Sequence, residues 1–279
     1  MKILVTGANG YLGEGVTKSL LDYGAAVIAT GRASQFIDSR AIVKECDLFS
    51  VENPFEYFGC PDAVIHLAWE DGFKHDSLSH IQNLSKHYAF LTKLIDSGIK
   101  QVCGMGSMHE IGFHEGSINE NTPCNPLSLY GIAKNALRQS IQIKQKSKGG
   151  CFQWIRGFYI VGNASRGCSI FSKITQAVRD GRKTFPFTMG LNQFDFIDYD
   201  TMCDQIALVA LQQEVNGIIN CCSGRPEKLS ERVERYIKEN NYDIKLEYGA
   251  FPDRPYDSKA VWGDDRKIRA ILASKGNGK

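Results

Sequence analysis

The stretch Lys2-Ile3-Leu4-Val5-Thr6-Gly7-Ala8-Asn9-Gly10-Tyr11-Leu12-Gly13 decides how the chain is read. An apolar run with the length of a buried strand enters three glycines at a Gly-x-x-Gly-x-x-Gly spacing, and an amphipathic segment to Tyr23 follows. Glycines at a strand-to-helix junction permit a tight turn and let a pyrophosphate approach the backbone, where the helix N-terminus meets its charge. The spacing differs from the Gly-x-Gly-x-x-Gly of long-chain dehydrogenases, and an ordinary tight turn uses the same residue type. Position in the first strand–helix unit favours a dinucleotide, with Gly7, Asn9, Gly10, Tyr11, Leu12 and Gly13 as its contacts.

Outward from that stretch, Ala26–Thr30, Ile42–Cys46, Ala63–Leu67 and Gln101–Met105 are further apolar runs of strand length. Helical patterns at Tyr11–Tyr23 and Ile81–Ser97 alternate with them, and Gly24 and Gly98 act as stop signals. This alternation predicts an α/β fold, a Rossmann-like doubly wound parallel sheet whose ligands sit at the carboxyl ends of the strands. Beyond Cys151 the pattern loosens to a strand over Phe152–Ile160 and helices over Ile170–Arg179, Thr201–Gln212 and Leu229–Glu239. We read 1–160 as a dinucleotide-binding domain to which 194–222 returns, and 161–193 with 223–279 as a small C-terminal substrate-binding lobe. Ser274-Lys-Gly-Asn-Gly-Lys279 reads as a disordered tail.

Composition narrows the partners. With 33 basic against 31 acidic side chains there is no field for non-specific nucleic-acid binding, so a small molecule is expected. No apolar run approaches the ~20 residues of a membrane span, and the start shows no signal-peptide pattern, which predicts a cytoplasmic protein. The nine cysteines lack Cys-x-x-Cys and zinc-like His spacing, so no metal is expected and the thiols read as reduced and mostly buried. A nucleophilic Cys103 or Cys124 would need an activating partner that the sequence does not show.

Tyr130 and Lys134 stand at i and i+4 in a helical pattern, which brings both side chains to one helix face. A phenol ionises near pH ~10, and a neighbouring ammonium favours the phenolate, making the tyrosine a usable acid or base. Lys134 can also bond a nicotinamide ribose; a surface pair is the plainer alternative. Ser107, at the end of the fifth strand, can hold a substrate oxygen against Tyr130 or merely close a turn. The second strand ends Thr30-Gly31-Arg32 without the carboxylate that bonds the ribose hydroxyls of NAD, and a guanidinium there can fork onto a 2′-phosphate. NADP(H) is therefore favoured with NAD(H) as the alternative, and the plain alternative for Arg32 is a solvated loop charge. Asp47-Leu48 can meet the adenine, or Asp47 can cap the next helix.

Taken together, Thr6–Gly13, Asp47-Leu48, His66-Leu67-Ala68, Ser107 five residues before Gly112, and Tyr130-x-x-x-Lys134 resemble the extended short-chain dehydrogenase/reductases. Phe194–Asp200, Gly217–Asn220 with Ser223-Gly224, and Arg254-Pro255-Tyr256-Asp257 are similar to the substrate lobe of the family's nucleotide-sugar members. The resemblance implies that Leu67, Ala68 and Trp69 join the cofactor contacts, and that Ser107, Tyr130 and Lys134 carry the chemistry. Dehydratases of the family resemble one another in two carboxyls directly after the hydroxyl residue. Here Met108 and His109 follow Ser107, and Glu110, one position too late, is expected to be a structural side chain.

Four segments, His66–Gly72, Gly106–Glu110, Leu127–Arg138 and Val261–Asp264, resemble bacterial reductases of dTDP-4-dehydro-6-deoxyhexoses, which make dTDP-fucose or dTDP-6-deoxytalose for surface polysaccharides. That likeness implies hydride transfer to a C4 carbonyl carbon, Tyr130 protonating its oxygen, and Arg254 clamping the pyrophosphate of a dTDP-linked sugar unless it is simply a solvated charge. His109 can act near the sugar ring or satisfy a local hydrogen bond, and Trp69 can cover the nicotinamide or sugar or simply pack. It also implies a homodimer through Ile81–Ser97 and Leu127–Gln145. A 4-epimerase and a dinucleotide-binding redox-sensing regulator stay open, although a sensor has no need of a proton donor.

Overall fold

The apolar runs that open the chain form a parallel sheet in the computed structural model, which describes residues 1–252 and 258–276. In chain order its strands are β1 (Lys2–Thr6), β2 (Ala26–Gly31), β3 (Ile42–Glu45), β4 (Ala63–His66), β5 (Gln101–Ser107), β6 (Gly116–Ile118), β7 (Cys151–Gly157), β8 (Tyr159–Val161), β9 (Thr184–Pro186), β10 (Gln193–Asp198), β11 (Gly217–Cys221), β12 (Pro226–Lys228), β13 (Lys245–Glu247) and β14 (Ala260–Gly263). The main sheet runs β11-β7-β5-β4-β1-β2-β3 and every pairing in it is parallel. From β1 the chain moves outward to β2 and β3, then returns to β4 on the other side of β1. Strand order therefore reverses between β1 and β4, and the crevice above that pair is where such sheets take ligands.

Side chains alternate across the strands and both faces are covered. Ile3 and Val5 of β1 enter a core built with the Tyr11–Asp22 and Tyr199–Ala210 helices, while Leu4 enters the opposite core with the Leu84–Asp96 and Leu129–Ser147 helices. A third core, centred on Phe158, Phe171, Phe187 and Phe196, belongs to a smaller sheet, β12-β10-β14-β6, on which β8 also pairs.

Several elements depart from the sequence reading. Phe152–Ile160 is divided at Phe158: β7 lies in the main sheet, whereas β8 leaves to pair with β10. Of the segment 194–222, β11 and the Tyr199–Ala210 helix serve the main sheet, but β10 sits in the smaller one, as does β6 from within 1–160. The Ile81–Ser97 helix is interrupted at Asn83, giving Ser79–Gln82 and Leu84–Asp96. Ser274 and Lys275, expected in a tail, continue a helix that begins at Arg266 and packs Ile268 and Ile271 into the core. The thiols are all free, but only Cys103, Cys203, Cys221 and Cys222 are buried, so mostly buried overstated it. No helix among the described residues is long and apolar enough to cross a membrane.

Candidate active site

A cleft of about 1260 Å³ opens above the carboxyl ends of the main-sheet strands. Gly7, Asn9, Gly10, Tyr11, Leu12, Gly13, Arg32, Asp47, Leu48, Leu67, Ala68, Trp69, Ser107, His109, Tyr130 and Lys134 all line it. Arg254 lies outside the described residues.

The glycine loop fits a dinucleotide for a steric reason. Gly7 has φ +67°, and a Cβ on it would stand 2.7 Å from Ala68, closing the crevice between β1 and β4. A Cβ at Gly13 would meet the Gly7 carbonyl at 2.1 Å, so the helix can start this close to the strand only with glycine there. These bare backbones leave amide groups and the N-terminus of the Tyr11–Asp22 helix facing the cleft, the chemistry a pyrophosphate needs. At the other end Arg32 is exposed and makes no ion pair among the described residues. Asp47 does cap, its carboxylate accepting from Phe49 N–H at 3.1 Å, and it lines the cleft as well.

Glycines also set the strand that ends in Ser107. Trp154 of β7 lies flat on Gly104 and Gly106 of β5, where a Cβ would come within 2.3 and 2.1 Å of its ring. Its indole N–H donates to Glu110 Oε1 at 2.7 Å. The same oxygen accepts from Ser107 N–H at 2.9 Å, while Ser107 Oγ accepts from His109 N–H at 3.3 Å, a reciprocal box that fixes the end of β5. Fully buried Glu110 is further balanced by the Arg156 and Arg138 guanidiniums at 3.5 and 3.6 Å. It is a structural carboxylate.

Tyr130 reaches the same corner, and burial raises its phenol above the ordinary value, Glu110 adding to the rise and a hydrogen bond with the Ser107 side chain opposing it. Lys134 does not oppose it in the way its spacing suggested. Its ammonium donates to the Met105 carbonyl at 2.7 Å and sits 3.7 Å from the centroid of Trp69, against 5.7 Å from that of Tyr130. Burial pushes the Lys134 amine down to about 7, with Glu110 holding it up slightly. Between pH 7 and 10.5 the unfolded chain therefore binds the proton that the folded chain has lost, so stability from this site rises with pH across that window and is lowest below it. Lys134→Met is expected to raise unfolding free energy by about 1–3 kcal/mol at pH 6.5, with the gain shrinking by pH 9.5. Urea unfolding at the two pH values checks this; a loss of equal size at both contradicts it.

Imidazoles surround this corner. Five of the six histidines, His66, His75, His80, His87 and His109, gather around Trp69 and Tyr130. His80 Nδ1 accepts from the Trp69 indole at 3.0 Å and its other nitrogen donates to the Lys74 carbonyl at 2.9 Å, which fixes a neutral tautomer. His87 stacks on Trp69 with centroids 4.5 Å apart, so Trp69 is held between imidazole and ammonium. Sequence reasoning missed His75, His80 and His87, although three histidines within 75–87 is a visible concentration. Cys103 donates to Gln153 at 3.0 Å and burial raises its thiol far above the ordinary range, which removes it as a nucleophile. Cys124 lies away from the cleft beside Arg156.

The model of the NAD dependent epimerase/dehydratase family matches residues 3–222. The chain belongs to that family. Among its relatives, the dTDP-6-deoxy-L-talose 4-dehydrogenase (NAD(+)) of Aggregatibacter actinomycetemcomitans is 41% identical over 269 residues, covering 94% of this chain and 99% of that one. The UDP-glucose 4-epimerase of Lactobacillus helveticus is 22% identical and covers 99% and 92%. In fold, a UDP-N-acetylglucosamine 4-epimerase from Methanobrevibacter ruminantium M1 superposes with TM-score 0.83 at 20% identity, covering 97% of this chain and 91% of that one. Within the family, a Rossmann-like sheet and the Ser107, Tyr130 and Lys134 cluster at its carboxyl edge are thus found in one chain.

Proposed function

We propose that this chain reduces the C4 keto group of a nucleotide-activated 4-dehydro-6-deoxyhexose, dTDP-linked, with NAD(P)H, in deoxysugar and surface-polysaccharide biosynthesis. The observation that carries the reading is Glu110. The carboxylate nearest Ser107 in sequence is held by Trp154, Arg156 and Arg138, so the hydroxyl pair works without an adjacent acid to expel water. The 41% identity to a dehydrogenase acting on dTDP-6-deoxy-L-talose supports the same substrate class. Gly7 to Gly13 hold the dinucleotide, and Arg254 is assigned to the pyrophosphate of the sugar nucleotide.

When bound, the reduced nicotinamide supplies a hydride. Tyr130 gives its phenolic proton to the C4 oxygen, and Ser107 hydrogen-bonds that oxygen and holds it in line. Lys134, leaving Met105 for the neighbourhood of Tyr130, stabilises the phenolate that remains. Arg32 favours NADP(H), while NAD(+) in the name of the relative favours NAD(H). Arg32→Ala is expected to lower kcat/KM for NADPH by about 10- to 100-fold and leave that for NADH unchanged, since only the 2′-phosphate needs the guanidinium. Equal losses with both cofactors would remove Arg32 from that role.

Exposed Ile81, Tyr88, Ile132 and Ile143, on or beside the paired Leu84–Asp96 and Leu129–Ser147 helices, support a homodimer through that face. A 4-epimerase is the competing reading, because the Ser107, Tyr130 and cofactor set serves it equally and epimerases are among the relatives. Incubating the protein with dTDP-4-dehydro-6-deoxy-L-mannose and NADPH or NADH, and identifying the sugar by NMR, tests the proposal. A 6-deoxy product with one cofactor oxidised per sugar is expected; an unchanged keto sugar contradicts it.

A further inference from the structure

Three of the five clustered histidines are engaged by the protein itself. His66 bonds Thr6 Oγ1 and His87 Nδ1, both at 2.9 Å, and His80 bonds Trp69 and Lys74. His75 and His109 differ. Both rings line the cleft, yet among the described residues no hydrogen bond reaches a ring nitrogen of either. The His75 ring lies parallel to that of Tyr130, centroids 5.1 Å apart at 10°, and meets His109 at 4.3 Å. The Tyr130 backbone N–H donates to the His75 carbonyl at 2.9 Å, which ties the loop carrying His75 to the catalytic helix.

Polar groups that line a cleft without protein partners suit a ligand that supplies them. Burial lowers His109 to about 4, His75 lowering it further, and burial lowers His75 too, with His80 adding to that and Asp76 opposing it. Both rings are therefore neutral near pH 7, each offering one donor and one acceptor. That is the complement of a hydroxyl group. An anion would call for a cation instead.

We propose that His75 and His109 form a subsite that reads the sugar hydroxyl beside the reacting carbonyl, at C3. This rests on the nucleotide-sugar reading above and assigns specificity to two imidazoles standing over the proton donor.

The test is binding to the NADH complex, in which a C4 alcohol cannot react. Calorimetry would compare dTDP, dTDP-6-deoxy-L-talose and the same nucleotide sugar lacking its C3 hydroxyl. Wild-type protein should prefer the hydroxylated sugar by about tenfold, the effect of one satisfied hydrogen bond. His75→Phe, which keeps a ring against Tyr130 but removes both nitrogens, should collapse that ratio towards one while binding dTDP as before. His75→Gln should restore part of it. Unchanged dTDP affinity also reports that the variant is folded. An equal ratio in wild type and His75→Phe, or no wild-type preference, overturns the subsite alone. Failure of the wild-type complex to bind dTDP or either sugar overturns the nucleotide-sugar reading and the subsite with it.

Discussion

Tyr130→Phe is expected to lower kcat for sugar reduction by about 10³-fold with little change in KM. The variant keeps the ring that packs against His75 and Trp69, so the cleft keeps its shape. It loses the one proton that can meet the developing C4 alkoxide from beside Ser107. The high affinity of the Tyr130 phenol for its proton favours the reducing direction, because the acid form is the one populated at neutral pH. In the reverse, oxidising direction the phenolate is needed, so that rate should climb as pH rises. Retention of most of kcat by Tyr130→Phe would mean that another group, His109 or a water, donates the proton.

Glu110→Ala is expected to be the most damaging change to the fold near the site, costing about 3–5 kcal/mol. Its carboxylate is fully buried with two guanidiniums, the Trp154 indole and the Ser107 amide converging on it, and alanine would leave those donors and charges without a partner. Glu110→Gln should cost less, because one oxygen can still accept from Ser107 and Trp154 while the charge balance is lost. Chemical denaturation of the two variants measures both. A loss below about 1 kcal/mol for alanine would show that the arginines find solvent or one another's neighbours instead. Activity should fall further than stability alone explains, since the end of β5 carries Ser107.

The main sheet was legible because strand length and glycine spacing are local signals. Lys2–Thr6 and its glycine loop could be read from twelve residues, and the alternation of strands and helices pointed to a parallel sheet, whereas the reversal of strand order between β1 and β4 emerges only in the folded chain. The smaller sheet was not legible. Strands of three residues such as β6, β8 and β12 carry no periodicity, and their pairing with β10 and β14 is decided by contacts distant in sequence. The same limit applies at the site. Tyr130-x-x-x-Lys134 placed two side chains on one face, but spacing alone could not show that Met105 and Trp69 would hold the ammonium instead. Glu110 was read as structural from its position, whereas the partners that make it so, Arg138 and Arg156, come from a helix and a strand beyond the reach of any motif. His75 lay in a stretch without pattern, and only folding brings it over Tyr130.

The central claim is that hydride passes from the cofactor to a sugar C4 carbonyl and stays there. Its most direct test supplies NAD(P)H deuterated at the transferable position of C4, together with the 4-keto sugar nucleotide, and examines the product by mass spectrometry and NMR. The account predicts one deuterium per product molecule, at the sugar C4, with one equivalent of cofactor oxidised. Product free of deuterium, or interconversion of C4 epimers without net cofactor consumption, would contradict it.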